Sequence, residues 1–140
     1  MHRFHEQIHG VYFDDLDPYG ILHNARYLLL FERTLGSFWQ GLGFGGFQEN
    51  REHAHLVRAN HIAYHLPFRG TGSVRVRVFV EKLGTTSLTF GFRMMPLDSD
   101  DVLASGERVV VRIDPDTHRP APWTDDFRRR LAPWLPPEAR

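Results

Sequence analysis

The sequence predicts an α+β fold in which one long helix is enclosed by an antiparallel sheet of about five strands within a single domain. Three observations carry this expectation. Residues 24–40 have a helix-forming composition and an apolar surface that reaches around most of the helix circumference. The second half of the chain alternates in hydropathy with the two-residue period of strands. The connections between its alternating runs are short and turn-like.

In chain order, residues 4–13 place Phe4, Ile8, Val11 and Phe13 among polar residues in imperfect alternation, which predicts a partly buried strand. Asp14-Asp15-Leu16-Asp17-Pro18-Tyr19-Gly20 stops that strand, because Asp, Pro and Gly favour turns over a sheet ladder. The helix over residues 24–40 holds no Pro and Gly36 alone among glycines, and it extends about 25 Å at 1.5 Å per residue. Its early turns carry Ala25, Tyr27, Leu28, Leu29, Leu30 and Phe31, so the helix must be covered on most sides. Gly41-Leu42-Gly43-Phe44-Gly45-Gly46 ends it and opens a flexible connection to His53.

Four strands are predicted next. They are residues 55–66, a run in which Val74, Val76, Val78 and Val80 alternate with Arg75, Arg77, Phe79 and Glu81, then residues 87–95 and residues 103–113. The turns at 67–70, 83–86 and 96–101 predict that consecutive strands pair antiparallel. From 114 to 140 the chain is a Pro-rich tail, in which Thr124 caps a short helix through Leu131.

Composition excludes several functions. The 140 residues, 41% hydrophobic and 24% charged, suffice for one core without disulfides or a structural metal. With no Cys there is no thiolate nucleophile, Cys-based zinc site or redox disulfide. Seventeen basic residues balance seventeen acidic ones, which leaves no field to steer the chain onto nucleic acid or a membrane surface. The longest strongly apolar run, residues 27–31, is too short to span a bilayer, and a cytoplasmic location is expected.

Motifs with a bland explanation come next. Gly41-x-Gly43-x-x-Gly46 has the dinucleotide spacing but follows a helix and opens none, so it reads as a helix stop. His61 and His65, four apart on a strand, lie about 13 Å apart and do not chelate one metal. Gly70-Thr71-Gly72-Ser73 lacks the spacing of a nucleophile elbow. Arg128-Arg129-Arg130 reads as a solvated face, with contact to a phosphorylated ligand as its best functional use. No cofactor or metal is expected.

The informative stretch is residues 12–28. An acidic loop entering an apolar helix sets a carboxylate beside unpaired N–H groups and the positive end of the helix dipole, a base or nucleophile next to an oxyanion trap. The competing explanation makes Asp17 a turn residue and His23 or Asn24 a helix cap. Asp17-x-x-Gly20-x-x-x-Asn24-x-x-Tyr27-Leu28, with Glu32 beyond it, resembles the signature of hotdog-fold acyl-CoA thioesterases of the 4-hydroxybenzoyl-CoA thioesterase group. The order of elements over residues 4–113 is similar too, as is the turn Leu83-Gly84-Thr85-Thr86-Ser87.

The resemblance implies a helix inside a curled sheet, two subunits joining sheets as a homodimer or homotetramer, and a thioester reaching the helix start between them. It implies Asp17 as nucleophile or general base, with the Asn24 amide, helped by that of His23, polarising the thioester carbonyl. Gly20, Tyr27, His61, Tyr64 and Ser87 are the expected substrate-binding residues, and the region 41–52, with Phe44 and Phe47, is expected to shape the pocket. Glu32 is expected to pair with an Arg of its own helix, such as Arg26 or Arg33. The expected substrate is an acyl-CoA or acyl-carrier-protein thioester. A non-hydrolytic thioester-binding protein is the alternative, followed by a hydratase or dehydratase.

Overall fold

The computed structural model describes residues 2–44 and 53–139. The elements are β1 (His5–Val11), α1 (Asn24–Gly41), β2 (His55–Tyr64), β3 (Gly72–Leu83), β4 (Ser87–Pro96), β5 (Ala104–Arg112) and α2 (Asp125–Leu131). A short 3-10 turn over Phe13–Asp15 precedes α1. Five strands form one antiparallel sheet in the order β1-β3-β4-β5-β2, and α1 packs on one face of it. This is the α+β hotdog arrangement. No helix among the described residues is long and apolar enough to cross a membrane.

The valine alternation of β3 does what a period of two requires. Val74, Val76, Val78 and Val80 are fully buried beneath α1, together with Leu88, Phe90, Phe92 and Met94 of β4. Phe31 of α1 stacks on Phe92 at 4.5 Å between ring centroids. The core divides along the helix. Tyr27 and Leu30 join Val11, Leu22, Val74 and Val76 near its start, and Phe38 and Trp39 join Phe90, Trp123, Phe127 and Leu131 near its end.

Two expectations are corrected. β2 and β3 are consecutive but do not pair: β2 lies at the sheet edge beside β5, and β3 sits between β1 and β4. The connection between them is a strap, not a hairpin turn. It pairs with the loop before α1, through Leu22 N–H to Phe68 O (2.9 Å), Gly70 N–H to Gly20 O (2.9 Å) and a bridge from Ile21 to Arg69. The arginine run is not simply a solvated face. Arg128 donates to Gly84 O (2.8 Å) and Arg130 to Leu42 O (3.0 Å), tying the tail to the body while Trp123, Phe127 and Leu131 fill the core.

Candidate active site

The loop 15–23 is held from several directions before it reaches the helix. Asp15 Oδ2 accepts from Tyr12 N–H (2.8 Å), its carbonyl accepts from His23 N–H (2.9 Å), and its carboxylate lies 3.6 Å from the Arg26 guanidinium. Asp17 closes a tight turn: its N–H donates to Ile21 O (2.8 Å) and its carbonyl accepts from Gly20 N–H (3.0 Å). Gly20 sits at φ +73°, a conformation that residues with a Cβ rarely adopt, and this lets the turn close.

The half-buried Asp17 side chain has two unequal oxygens. Oδ1 accepts from Tyr19 N–H (2.8 Å) and Ile21 N–H (3.1 Å), which fixes the rotamer, and Oδ2 has no hydrogen-bond partner among the described residues. At the helix start the donors are equally unequal. His23 N–H is spent on Asp15 O, Ala25 N–H donates to His23 Nδ1 (3.1 Å), and Arg26 N–H donates to His23 O (2.9 Å). Asn24 N–H has no acceptor among the described residues. It stands where the partial positive charge of the 18-residue α1 is concentrated.

A cleft of about 420 Å³ brings these groups together. Asp17, Asn24, Tyr27 and Tyr64 line it, with Ile21, Leu22 and residues 65–67 as further walls. Tyr64 OH donates to Asn24 O (3.0 Å), and its ring meets Tyr27 edge-to-face at 5.0 Å. The Tyr27 ring is buried, which pushes its hydroxyl above the usual phenol range, and Tyr64 adds to the effect, so Tyr27 remains a neutral hydroxyl.

Four of the residues expected at the site therefore converge: Asp17, Asn24, Tyr27 and Tyr64. Gly20 acts through the turn. His23 caps the helix with its ring, and its amide faces Asp15 instead of the cleft, so the helping role expected of that amide is corrected. His61 pairs with Glu107 and lines a separate hollow on the other face of the sheet. An odd spacing along a strand points side chains to opposite faces, so His61 and Tyr64 of β2 do not share a pocket. Ser87 begins β4 and pairs with Val111, and its carbonyl accepts from the Trp123 indole at 3.1 Å, away from the cleft.

Phe44 stacks near His53 (4.2 Å) and Phe127 (5.8 Å) at the far end of α1, and Phe47 with the rest of 45–52 lies outside the described residues. Glu32 does form an ion pair, but with Arg108 of β5 at 2.7 Å instead of a helix arginine. Arg108 is 5% exposed, and Asn60 Oδ1 (2.7 Å) and the Phe31 ring (4.8 Å) complete its surroundings. Sequence reasoning missed His65, Leu66 and Pro67 as cleft residues. Their only local signal was the proline, which read as a turn.

The thioesterase-like superfamily matches over residues 11–131, nearly the whole span from β1 to α2. The chain belongs to that superfamily. No curated protein matches it significantly. Among solved structures, it is similar in fold to a predicted thioesterase from Bacillus stearothermophilus, with 22% identity, a TM-score of 0.84, and 95% of this chain and 97% of that one covered. A 1,4-dihydroxy-2-naphthoyl-CoA thioesterase from Synechocystis gives 14% identity and a TM-score of 0.82 over 93% and 96% of the two chains. A Staphylococcus aureus protein in complex with CoA gives 15% identity and a TM-score of 0.84 over 96% and 85%. The superfamily's span includes every residue of the cleft.

Proposed function

We propose that this protein hydrolyses an acyl-CoA or acyl-carrier-protein thioester at the start of α1. One observation carries the reading: the same cleft is lined by a carboxylate with one oxygen, and by a residue with a backbone N–H, that have no hydrogen-bond partner among the described residues. Asp17 Oδ2 acts on the thioester carbonyl carbon directly, or takes a proton from a water that does so. The Asn24 N–H receives the carbonyl oxygen as negative charge develops on it. The C–S bond then breaks and the thiolate leaves, which yields the acid at once when water attacks; after direct attack the acyl group stays on Asp17 as an anhydride, which a water then hydrolyses to free the acid and restore the carboxylate. A thiol of pKa roughly 8.5 departs as the thiolate without a strong general acid.

Support for a thioester substrate comes from the superfamily and from neighbours of the same fold, one of which holds CoA. Support for a homo-oligomer comes from β2. It is a ten-residue edge strand with exposed Leu56, Val57 and Tyr64, a surface that a second copy would cover by continuing the sheet. Tyr64 also lines the cleft, so that second copy would complete its open side.

The test is thiol release from a series of acyl-CoA and carrier-bound thioesters by wild type, Asp17→Asn and Asp17→Ala. Wild type is expected to release thiol, and both variants to lose it by about 10³-fold or more. Full activity in Asp17→Ala removes the assignment. Tight binding without thiol release by wild type on every substrate supports a non-hydrolytic binding protein instead.

A further inference from the structure

The face of the sheet turned away from α1 carries an arrangement that the fold does not require. The register of β3 and β4 sets Arg77 directly opposite Arg93. Both lie on that outer face, because their strand neighbours Val76, Val78, Phe92 and Met94 are buried beneath α1. Like charges at opposed positions, about 5 Å apart at Cβ, repel each other. The carboxylates nearby relieve only one of the two. Glu6 of β1 meets Arg77 at 3.1 Å and Arg75 at 3.6 Å, and Asp100 meets Arg75 at 2.8 Å. Arg93 is exposed and forms no ion pair or hydrogen bond among the described residues, although Glu81 lines an adjoining hollow with it.

The arginine pair borders a hollow of about 130 Å³, whose other walls are His2, Phe4 and Phe79. Its groups are held in place before any ligand arrives. The Arg77 guanidinium lies on the Phe4 ring, 3.8 Å from its centroid, and that of Arg93 lies 6.0 Å from the Phe79 centroid. His2 donates through Nε2 to Val80 O (2.7 Å), which sets its ring edge-on against Phe79 at 5.3 Å. Among the described residues no carboxylate lines this hollow. Guanidinium forks match the geometry of a carboxylate, and the two phenyl rings offer contact to an apolar body. The space is well below the roughly 300 Å³ at which pockets hold drug-sized ligands, so it admits one ring and its acid group.

We propose that this hollow binds a small aryl carboxylate, with the carboxylate bridging Arg77 and Arg93 and the ring against Phe4 and Phe79. The anion removes the repulsion between the two opposed arginines, which is the physical reason for it to bind there. The site lies on the opposite face of the sheet from the cleft that holds Asp17 and Asn24, and its occupation does not depend on the hydrolytic reading.

The experiment is isothermal titration calorimetry of the full chain with benzoate, acetate and inorganic phosphate, on wild type, Arg93→Gln and Arg77→Gln. Ligands of this size bind at about millimolar Kd, so benzoate is expected to saturate one site per chain in that range. Acetate and phosphate, which lack the ring, are expected to bind about 5-fold more weakly or worse. Arg93 is exposed, so Arg93→Gln folds, and it is expected to weaken benzoate by about 10-fold or more, with Arg77→Gln acting in the same direction. Wild type that does not saturate by about 20 mM benzoate overturns the proposal. Equal affinity in wild type and Arg93→Gln places the benzoate elsewhere, the cleft included, and overturns it too. Phosphate or acetate binding as tightly as benzoate overturns the assignment to an aryl carboxylate.

Discussion

At its C-terminal end α1 runs into a closed aromatic cluster, and at its N-terminal end it opens onto a cleft. Phe38 and Trp39 meet Phe90 at 5.7 and 5.5 Å, Trp134 lies 4.9 Å from Phe38, and Trp123 stacks on Phe127 at 4.2 Å. The carbonyl of Leu42 is satisfied there by Arg130. Eighteen residues earlier, Asn24 is exposed, its amide has no acceptor among the described residues, and Asp17, which lines the same cleft, has one oxygen without a partner among them. The difference teaches where the fold keeps stability and where it keeps chemistry. Unsatisfied polar groups are costly in a sealed core and useful at an open helix start, and one helix holds both extremes.

The sharpest way to break that comparison is to damage each end in turn. Asp17→Asn keeps Oδ1 as an acceptor for the Tyr19 and Ile21 amides, so denaturant melts are expected to move by less than about 1 kcal/mol while kcat/KM falls by about 10³-fold or more. Phe127→Ala is expected to do the reverse. Removing a fully buried ring costs about 3–5 kcal/mol in urea melts, with kcat per folded molecule unchanged. A Phe127→Ala enzyme that melts normally but loses turnover would show that the two ends are coupled.

Acid should strike the closed end. His53 is 6% exposed, lies 5.2 Å from Trp39, and leaves Nδ1 without a partner, so burial, with smaller contributions from His55 and Arg112, lowers its pKa from 6.5 to about 4. The folded state therefore holds the neutral ring, while the unfolded chain takes up a proton below pH 6.5. The part of the stability that depends on this ring is fully present above pH 6.5 and is lost as pH falls from there toward 4. His53→Leu is expected to flatten this acid limb in melts at pH 7, 6 and 5. An unchanged limb assigns the loss to other groups.

How much of this was legible follows from how local each signal was. The helix, the valine alternation of β3 and the Thr124 cap all showed in the sequence, because composition and period over a few residues specify them. Thr124 Oγ1 indeed accepts from Phe127 N–H at 3.1 Å. The meeting of Asp17 with Asn24 was legible for the same reason, since seven residues of turn and helix start join them. Tyr64 and His61 suit a pocket by residue type alone, and strand parity then separates them, leaving Tyr64 at the cleft and His61 on the opposite face of the sheet. What stayed hidden depends on register between distant segments. Residues 67–70 look like a hairpin turn until their pairing with residues 20–22 is seen. Arg108 was equally silent, since nothing near it in sequence announces Glu32 or Asn60.

The smallest expected effect tests whether the open end is positioned as well as exposed. Tyr64→Phe removes the hydroxyl that donates to Asn24 O but keeps the ring against Tyr27. A hydrogen bond at a half-exposed site contributes about 0.5–1.5 kcal/mol, so a loss of roughly 2- to 10-fold in kcat is expected, with little change in melting. Its mirror is Thr124→Ala, which removes the α2 cap and should cost about 0.5–2 kcal/mol in melts while thiol release is unchanged. If Tyr64→Phe lowers stability instead of kcat, the bond to Asn24 is a clasp on the fold. If kcat alone falls, the same bond aims the Asn24 peptide at the cleft, and the open end of α1 is as ordered as the closed one.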